Sequence, residues 1–520
     1  MHRLVIALTT LIGLAGAAVI GVYLFLGGVT ADRAAGLAPA TSAFYATLYL
    51  QPSAGQQAQL ASVLSRLPGF EDTAALDTKI DELAQRFFGD AGFDYRADVK
   101  PWLGNQLAVA GGAPDETGQP RDLLFIADVK DEAVFADRLG SLLPDGTETS
   151  DETYQGLTVT QAGTTSYAIV DGMLVAGEAP EQVHGAIDVF QGRVDSLADL
   201  PAFSTAMRSL PSDHLLAAWV DIKQMAATAA GTGAVADTAG FSTFSMALLA
   251  EESGFRLVGQ LPVDAESVGA AIRDALASGA TIPQLPDAMP DGTEVSLILH
   301  NLRAALERTE TELQDQSPDV AATIDQLRAL AAFGLGVDID NDLLPLLDGE
   351  VGVALHGIAD GLPAGALLLR PSDPAASAEA LGRVLDALES RGSAAARTTV
   401  AGTEVVSIDV PQVGAVSWAV ADELIVLGLT PDDVGAVLEA GAASSTLGGS
   451  DLYRSTFAGA DRGGTELFID LNPFVPLFLE QAGEGMPPET ADILEHIESF
   501  GLTTPSRPDR FEFHATLTIR

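Results

Sequence analysis

The chain has 520 residues, 47% of them hydrophobic, so cores of native size can form and an intrinsically disordered protein is excluded. Aspartate and glutamate total 72 against 27 lysine and arginine residues, and the resulting net charge of -45 argues against nucleic acid as a partner. The sequence contains no cysteine, which excludes disulfides, thiol catalysis, zinc fingers and iron–sulfur clusters.

The first predicted element is an uncharged apolar segment, residues 4–28. A membrane-spanning helix needs about 20 apolar residues, whereas the apolar part of a cleavable signal peptide has only about 7–15. The length therefore predicts an uncleaved transmembrane anchor over residues 1–30. Cleavage near the small residues 14–17 stays open as the alternative, although it would leave residues 19–26 as an apolar stub.

The orientation of this anchor depends on a few charges. Arg3 precedes the apolar segment, whereas Asp32 and Arg33 follow it and cancel each other. The positive-inside rule then predicts a cytoplasmic N-terminus, with residues 31–520 outside the cytoplasm. The expected location is the cell membrane, crossed by a single span.

Residues 36–280 are predicted to form a first α+β repeat unit. Within it, residues 72–88 place five apolar side chains on one helical face: Leu76, Ile80, Leu83, Phe87 and Phe88. Later in the unit, Asp171 and Gly172 separate two apolar runs, and this dipeptide is typical of a tight β-hairpin. Pro180 follows at the position expected for the first turn of a helix.

Residues 290–520 repeat this order and are predicted to form a second α+β repeat unit. The sequence DGMLVAGEAPEQV at 171–183 returns as DELIVLGLTPDDV at 422–434. A helix is predicted over residues 318–332, with an apolar face formed by Val320, Ile324, Leu327 and Leu330. A repeat of about half the chain indicates a duplicated scaffold.

The boundary between the units is predicted at residues 281–292, where three prolines are expected to stiffen a linker. Because each unit mixes hairpins with helices, the predicted fold class is α+β. The expected architecture is two tandem copies of an antiparallel-sheet-plus-helices unit behind the N-terminal transmembrane helix, with the helices on one face of each sheet.

Paired aspartates occur at matching positions, Asp94 and Asp98 in the first unit and Asp338 and Asp342 in the second. The segment DIDND, which begins at Asp338, imitates the start of a calcium-binding loop. Such a loop needs glycine at its sixth position and glutamate at its twelfth, and neither is present here. We therefore predict that these aspartates cap turns in both units.

The motifs PATSAFYATLYL, LPGF, DVKPWLG, DGMLVAG and SLADLPAF follow one another behind the apolar N-terminal segment. In this order they resemble a family of bacterial membrane-anchored envelope proteins that is catalogued only as a domain of unknown function. The resemblance covers nearly all of residues 36–520, and the second unit departs from it, with PLLDG for PWLG and DEL for DGM. It implies an envelope protein and implies no activity.

Patterns typical of active sites are weak throughout the sequence. The seven histidines show no two-histidine metal spacing on one helix face. Residues 231–236 read GTGAVA but follow an alanine-rich helical stretch, whereas a dinucleotide-binding fingerprint must follow a strand. Trp102, Trp219 and Trp418 lie in apolar contexts typical of core residues. We therefore predict no catalytic, cofactor-binding or metal-binding residues, and no cofactor.

Three functions stay open at this level. The favoured one is a non-enzymatic scaffold or interaction module of the cell envelope, with another envelope protein as its partner. The alternative is a binder of lipid or another apolar ligand near the membrane, because a sheet covered by helices can hold a cavity. A hydrolase with an unrecognised site ranks last, because the sequence contains no catalytic motif.

Overall fold

The structure of this chain is a computed structural model that describes residues 32–50, 52–68, 70, 81, 85, 94–115, 118–142, 148–229, 240–316, 318–359, 362–410, 414–482 and 488–520. The chain divides into two compact units, with the change from the first to the second between Val268 and Gly269. The predicted anchor, residues 1–30, lies outside the described residues. Within the described part, no helix is both long and apolar enough to cross a membrane.

The first unit is built on a sheet whose strands are β1 Phe44–Tyr49, β2 Leu103–Gly112, β3 Arg121–Val129, β4 Thr149–Tyr154, β5 Leu157–Ala162, β6 Thr165–Val170, β7 Met173–Gly177, β8 Leu216–Asp221, β9 Thr243–Glu251 and β10 Gly254–Pro262. They pair antiparallel in the order β4-β5-β6-β7-β3-β2-β1-β8-β9-β10. The α-helices are α1 Ala54–Leu64, α2 Glu132–Leu142, α3 Pro180–Phe190, α4 Pro201–Ser209 and α5 Ile222–Ala229. Shorter helical turns are Ala34–Gly36, Tyr95–Val99 and Leu197–Asp199.

The second unit contains the strands β11 Val295–His300, β12 Glu350–Ala359, β13 Leu362–Arg370, β14 Ala395–Val400, β15 Thr403–Val410, β16 Gly414–Ala421, β17 Leu424–Gly428, β18 Glu466–Asp470, β19 Ile497–Thr503, β20 Ser506–Arg507 and β21 Arg510–Ile519. They pair in the order β14-β15-β16-β17-β13-β12-β11-β18-β19-β21, and β20 pairs with β21. This order matches that of the first unit strand by strand.

The helices of the second unit are α6 Ala270–Gly279, α7 Leu302–Gln316, α8 Pro318–Leu330, α9 Pro374–Ser390, α10 Pro431–Ala443, α11 Asp451–Thr456, α12 Phe474–Ala482 and α13 Pro488–Leu494. Shorter turns are Leu285–Asp287, Ala331–Leu335, Ile339–Leu343, Leu344–Leu347 and Leu447–Gly449. The predicted combination of helices with antiparallel sheet is therefore confirmed.

Local sequence signals determine several element boundaries. Asp171 and Gly172 have φ values of 52° and 73°, and the hairpin that they form pairs Val170 with Met173. Asparagine, aspartate and glycine tolerate this left-handed conformation better than other residues. Pro180 begins α3 as predicted, because proline lacks the N–H that would be left unbonded at a helix start.

Helices cover both faces of the second unit's sheet, so the expectation of a single covered face was wrong for this unit. Leu368 and Val426 point to one face and pack in a cluster with Val434 of α10. Leu369 points to the opposite face and packs with Leu381 of α9. Successive residues of a strand point to opposite faces of the sheet. Because consecutive residues here are apolar, both faces must be packed against other elements.

Residues 281–292, where the sequence predicts a linker, lie within the second unit. Leu285 and Met289 of this segment are buried in the core beside Ile298 and Leu368. The prolines therefore belong to a packed segment, because burial of the apolar side chains between them stabilises the fold.

Of the two predicted helices, residues 72–88 lie outside the described residues except for Asp81 and Gln85, both of which are helical. In the second unit α8 begins at Pro318, as the pattern predicts, and ends at Leu330. Leu330 is 66% exposed, although the helical pattern places it on the apolar face.

Candidate functional site

A cavity of about 200 Å³ lies in the second unit between α6, α7 and the end of β11. The side chains that give it chemical character are Asp274, Ser278, His300, Asn301, Arg308 and Thr465. They come from three separate stretches of the chain, residues 274–278, 300–308 and 465, which the fold of this unit brings together.

Asn301 forms the turn between β11, which ends at His300, and α7. Its φ of 53° is left-handed, which asparagine tolerates, and its N–H donates to the Gly349 carbonyl at 2.8 Å. The chain turns at this residue, and α7 begins immediately after it at Leu302. Arg308 lies two turns along α7, so strand end and helix together supply one wall of the cavity.

His300 has two ring nitrogens that are buried and that have no protein hydrogen-bond partner among the described residues. Most buried side-chain nitrogens and oxygens in proteins are hydrogen-bonded. Leaving such a group without a partner costs about 1–3 kcal/mol. Because both nitrogens are buried, they lie beneath the cavity wall and do not face its open volume.

Arg308 supplies the positive charge of the cavity. Its Nη1 lies 3.8 Å from Oδ2 of Asp274, farther than the roughly 2.7–2.9 Å of a charge-assisted hydrogen bond. The Arg308 side chain is 34% exposed and that of Asp274 is 58% exposed. Water screens such a pair strongly, so Asp274 leaves donors of the guanidinium available to a ligand.

A second constellation lies along β21, where Arg510, Glu512 and His514 alternate and therefore share one face of the strand. One ligand atom each from Asp461, Glu512 and His514 lies within 4.8 Å of the others. Arg510 Nε donates to Glu512 at 2.7 Å, and Arg507 Nη2 donates to Asp461 at 2.8 Å. The arginines compete with a cation for the carboxylate oxygens, so we interpret the group as an ionic network.

A third constellation is buried beside β18. Glu466 accepts hydrogen bonds from Arg462 Nε, at 2.8 Å, and from the hydroxyl of Tyr453. Burial, followed by the charge of Glu466, raises the pKa of Tyr453 well above its ordinary value. Burial alone would lower the pKa of Arg462, but the hydrogen bond and charge of Glu466 raise it above the ordinary value. Tyr453 and Arg462 therefore both keep their protons at neutral pH.

The aspartates predicted to cap turns do so in both units. Asp98 accepts a hydrogen bond from the backbone N–H of Asp94 at 3.2 Å, and Asp342 accepts one from Asp338 at 2.9 Å. Asp94 and Asp338 are in turn the N-cap residues of the helical turns that follow them. Their carboxylates therefore satisfy backbone donors at turn starts, which explains the resemblance of the second segment to a calcium loop.

A family model described as "Protein of unknown function (DUF3352)" matches residues 4–519 of this chain. The chain belongs to this DUF3352 family. The match confirms the resemblance to a domain of unknown function. A comparison with curated proteins gave no match.

Solved structures similar to this DUF3352 protein include TP0453 in crystal form III, which is 11% identical and aligns with a TM-score of 0.26. That alignment covers 48% of this chain and 88% of the other. Crystal form I of TP0453 gives the same identity and TM-score, with 86% of that chain covered. A TM-score this low carries no argument about fold or function.

No sequence motif predicted the cavity or the two ionic groups. Alternation of Arg510, Glu512 and His514 in β21 is a sequence signal that could have indicated the shared face. The three tryptophans are buried as predicted, and Trp102 Nε1 donates to the carbonyl of Asp98 at 2.6 Å. Residues 231–236 lie outside the described residues.

Proposed function

We propose that this chain is a membrane-anchored extracytoplasmic protein that acts as a non-enzymatic scaffold or interaction module of the cell envelope. The proposal rests on the packing of residues 32–38, which follow the predicted anchor almost directly. A scaffold needs a defined position relative to the membrane. Residues 32–38 would connect the anchor firmly to the first unit.

Asp32 and Arg33 are tied into the sheet of the first unit. Oδ1 of Asp32 accepts hydrogen bonds from the Tyr45 hydroxyl at 2.5 Å and from Gln106 Nε2 at 2.6 Å. Arg33 Nη1 forms an ion pair with Asp128 at 3.1 Å. Burial and the charge of Asp32 raise the pKa of Tyr45 well above its ordinary value, so this hydroxyl stays a donor at neutral pH.

The residues that follow are part of the core. Ala34, Ala35, Leu37 and Ala38 are buried and pack with the sheet of the first unit. Four residue steps separate Asp32 from the end of the predicted span at residue 28, a reach of at most about 15 Å. The proposed anchor would therefore hold the first unit close to the bilayer, unlike a long flexible linker.

We further propose that residues 36–280 and 290–520 are tandem copies of one unit. In support, the two sheets have the same strand order, and a matching backbone contact occurs in each. The N–H of Leu197 donates to the carbonyl of Ala38 at 2.7 Å, and the N–H of Leu447 donates to that of Met289 at 2.8 Å. Duplication offers two related surfaces to protein partners.

A scaffold is favoured over a binder of lipid or another apolar ligand. The cavity described above has a volume of about 200 Å³, below the roughly 300–1,000 Å³ of pockets that hold drug-sized ligands, so it is small for an acyl chain. No nucleic acid partner is proposed, because the charge of -45 opposes one.

The absence of cysteine makes the proposed topology directly testable. Ala202→Cys and Ala394→Cys each add a single thiol at an exposed position, one in each unit. A membrane-impermeant maleimide should label both variants in intact cells or spheroplasts. His2→Cys is the matched control and should react only after the membrane is permeabilised. Labelling of the His2→Cys variant alone in intact cells would reverse the topology and end the proposal.

The scaffold role is tested by native mass spectrometry of the full-length protein, gently extracted from its own membrane. We expect a second polypeptide to accompany the chain, and crosslinking at Ala202→Cys or Ala394→Cys should capture the same polypeptide. A lone monomer would count against the scaffold. A lipid-sized mass that is lost on denaturation would replace the scaffold with the apolar binder.

A further inference from the structure

We draw no further inference here: the strongest candidate, the apolar surface patch that Leu477 and Phe478 expose on α12 of the second unit, carries nothing because nothing in the structure shows what covers it.

Discussion

Arg462 lies with its Nε 2.8 Å from Oε2 of Glu466, a carboxylate that is 0% exposed. Tyr453 completes the group, since its hydroxyl donates to Glu466 and its oxygen accepts from Arg462 Nη2 at 2.6 Å. A buried carboxylate is costly unless it is paired and hydrogen-bonded. The three side chains therefore stabilise the junction of α11 and β18 as one group.

Removal of the cation from this group should be strongly destabilising. Arg462→Leu leaves Glu466 buried without its charge partner, and the expected loss in the free energy of unfolding is about 3–5 kcal/mol. Urea unfolding of the full-length chain measures it. Arg303→Leu, which breaks the exposed pair with Glu307, should cost at most about 1 kcal/mol. The double variant Arg462→Leu/Glu466→Leu should recover part of the lost stability. Equal losses of unfolding free energy in Arg462→Leu and Arg303→Leu would contradict this interpretation.

The stability of the chain should fall as pH rises above about 10. Burial raises the pKa of Tyr453 in the folded state above the ordinary value of 10.0. The unfolded chain therefore releases this proton first, and stability is full below pH 10 and declines above it. Tyr453→Phe should make the slope of unfolding free energy against pH less steep, by an amount that grows above pH 10 toward a maximum of about 1.4 kcal/mol per pH unit. An unchanged slope between pH 10 and 11 would show that Tyr453 titrates normally.

Two glycines of the second unit should respond oppositely to alanine. A Cβ at Gly382 in α9 or at Gly402 in the β14–β15 hairpin would meet no atom within 4 Å. Gly402 has a φ of +85°, so Gly402→Ala should destabilise by about 1–2 kcal/mol. Gly382→Ala should stabilise by about 0.5–1 kcal/mol, because alanine is the better helix former. Thermal unfolding of both variants measures these changes in stability. Melting temperatures that shift in the same direction would contradict the prediction.

The cap formed by Asp342 should contribute measurably to stability. Its carboxylate accepts the backbone N–H of Asp338 at 2.9 Å and the Nε of Arg383 at 2.9 Å, and the residue is buried. Asp342→Ala removes both acceptor contacts and should cost about 1–3 kcal/mol in urea unfolding. Asp386→Ala, at an exposed position of α9, serves as the control and should stay within about 0.5 kcal/mol of the parent chain.

Features that depend only on residues close together in the chain were predictable from the amino-acid sequence. The hairpin at Asp171 and Gly172, the helix start at Pro180, and the caps at Asp94 and Asp338 all follow from backbone preferences and from hydrogen bonds over a few residues. The mixture of helices with antiparallel strands was predictable for the same reason, because apolar periodicity records which faces are buried.

Contacts between residues far apart in the chain could be located only in the folded structure. His300 and Arg308 border a cavity because α6 packs near the end of β11, and no local pattern encodes that approach. Asp461 and Glu512 are also far apart in the chain and lie close together only in the folded structure. Sequence periodicity also could not decide whether one or both sheet faces are covered, since a fully apolar strand is compatible with either until its helices are placed. Packing between elements far apart in the chain therefore determines the candidate site.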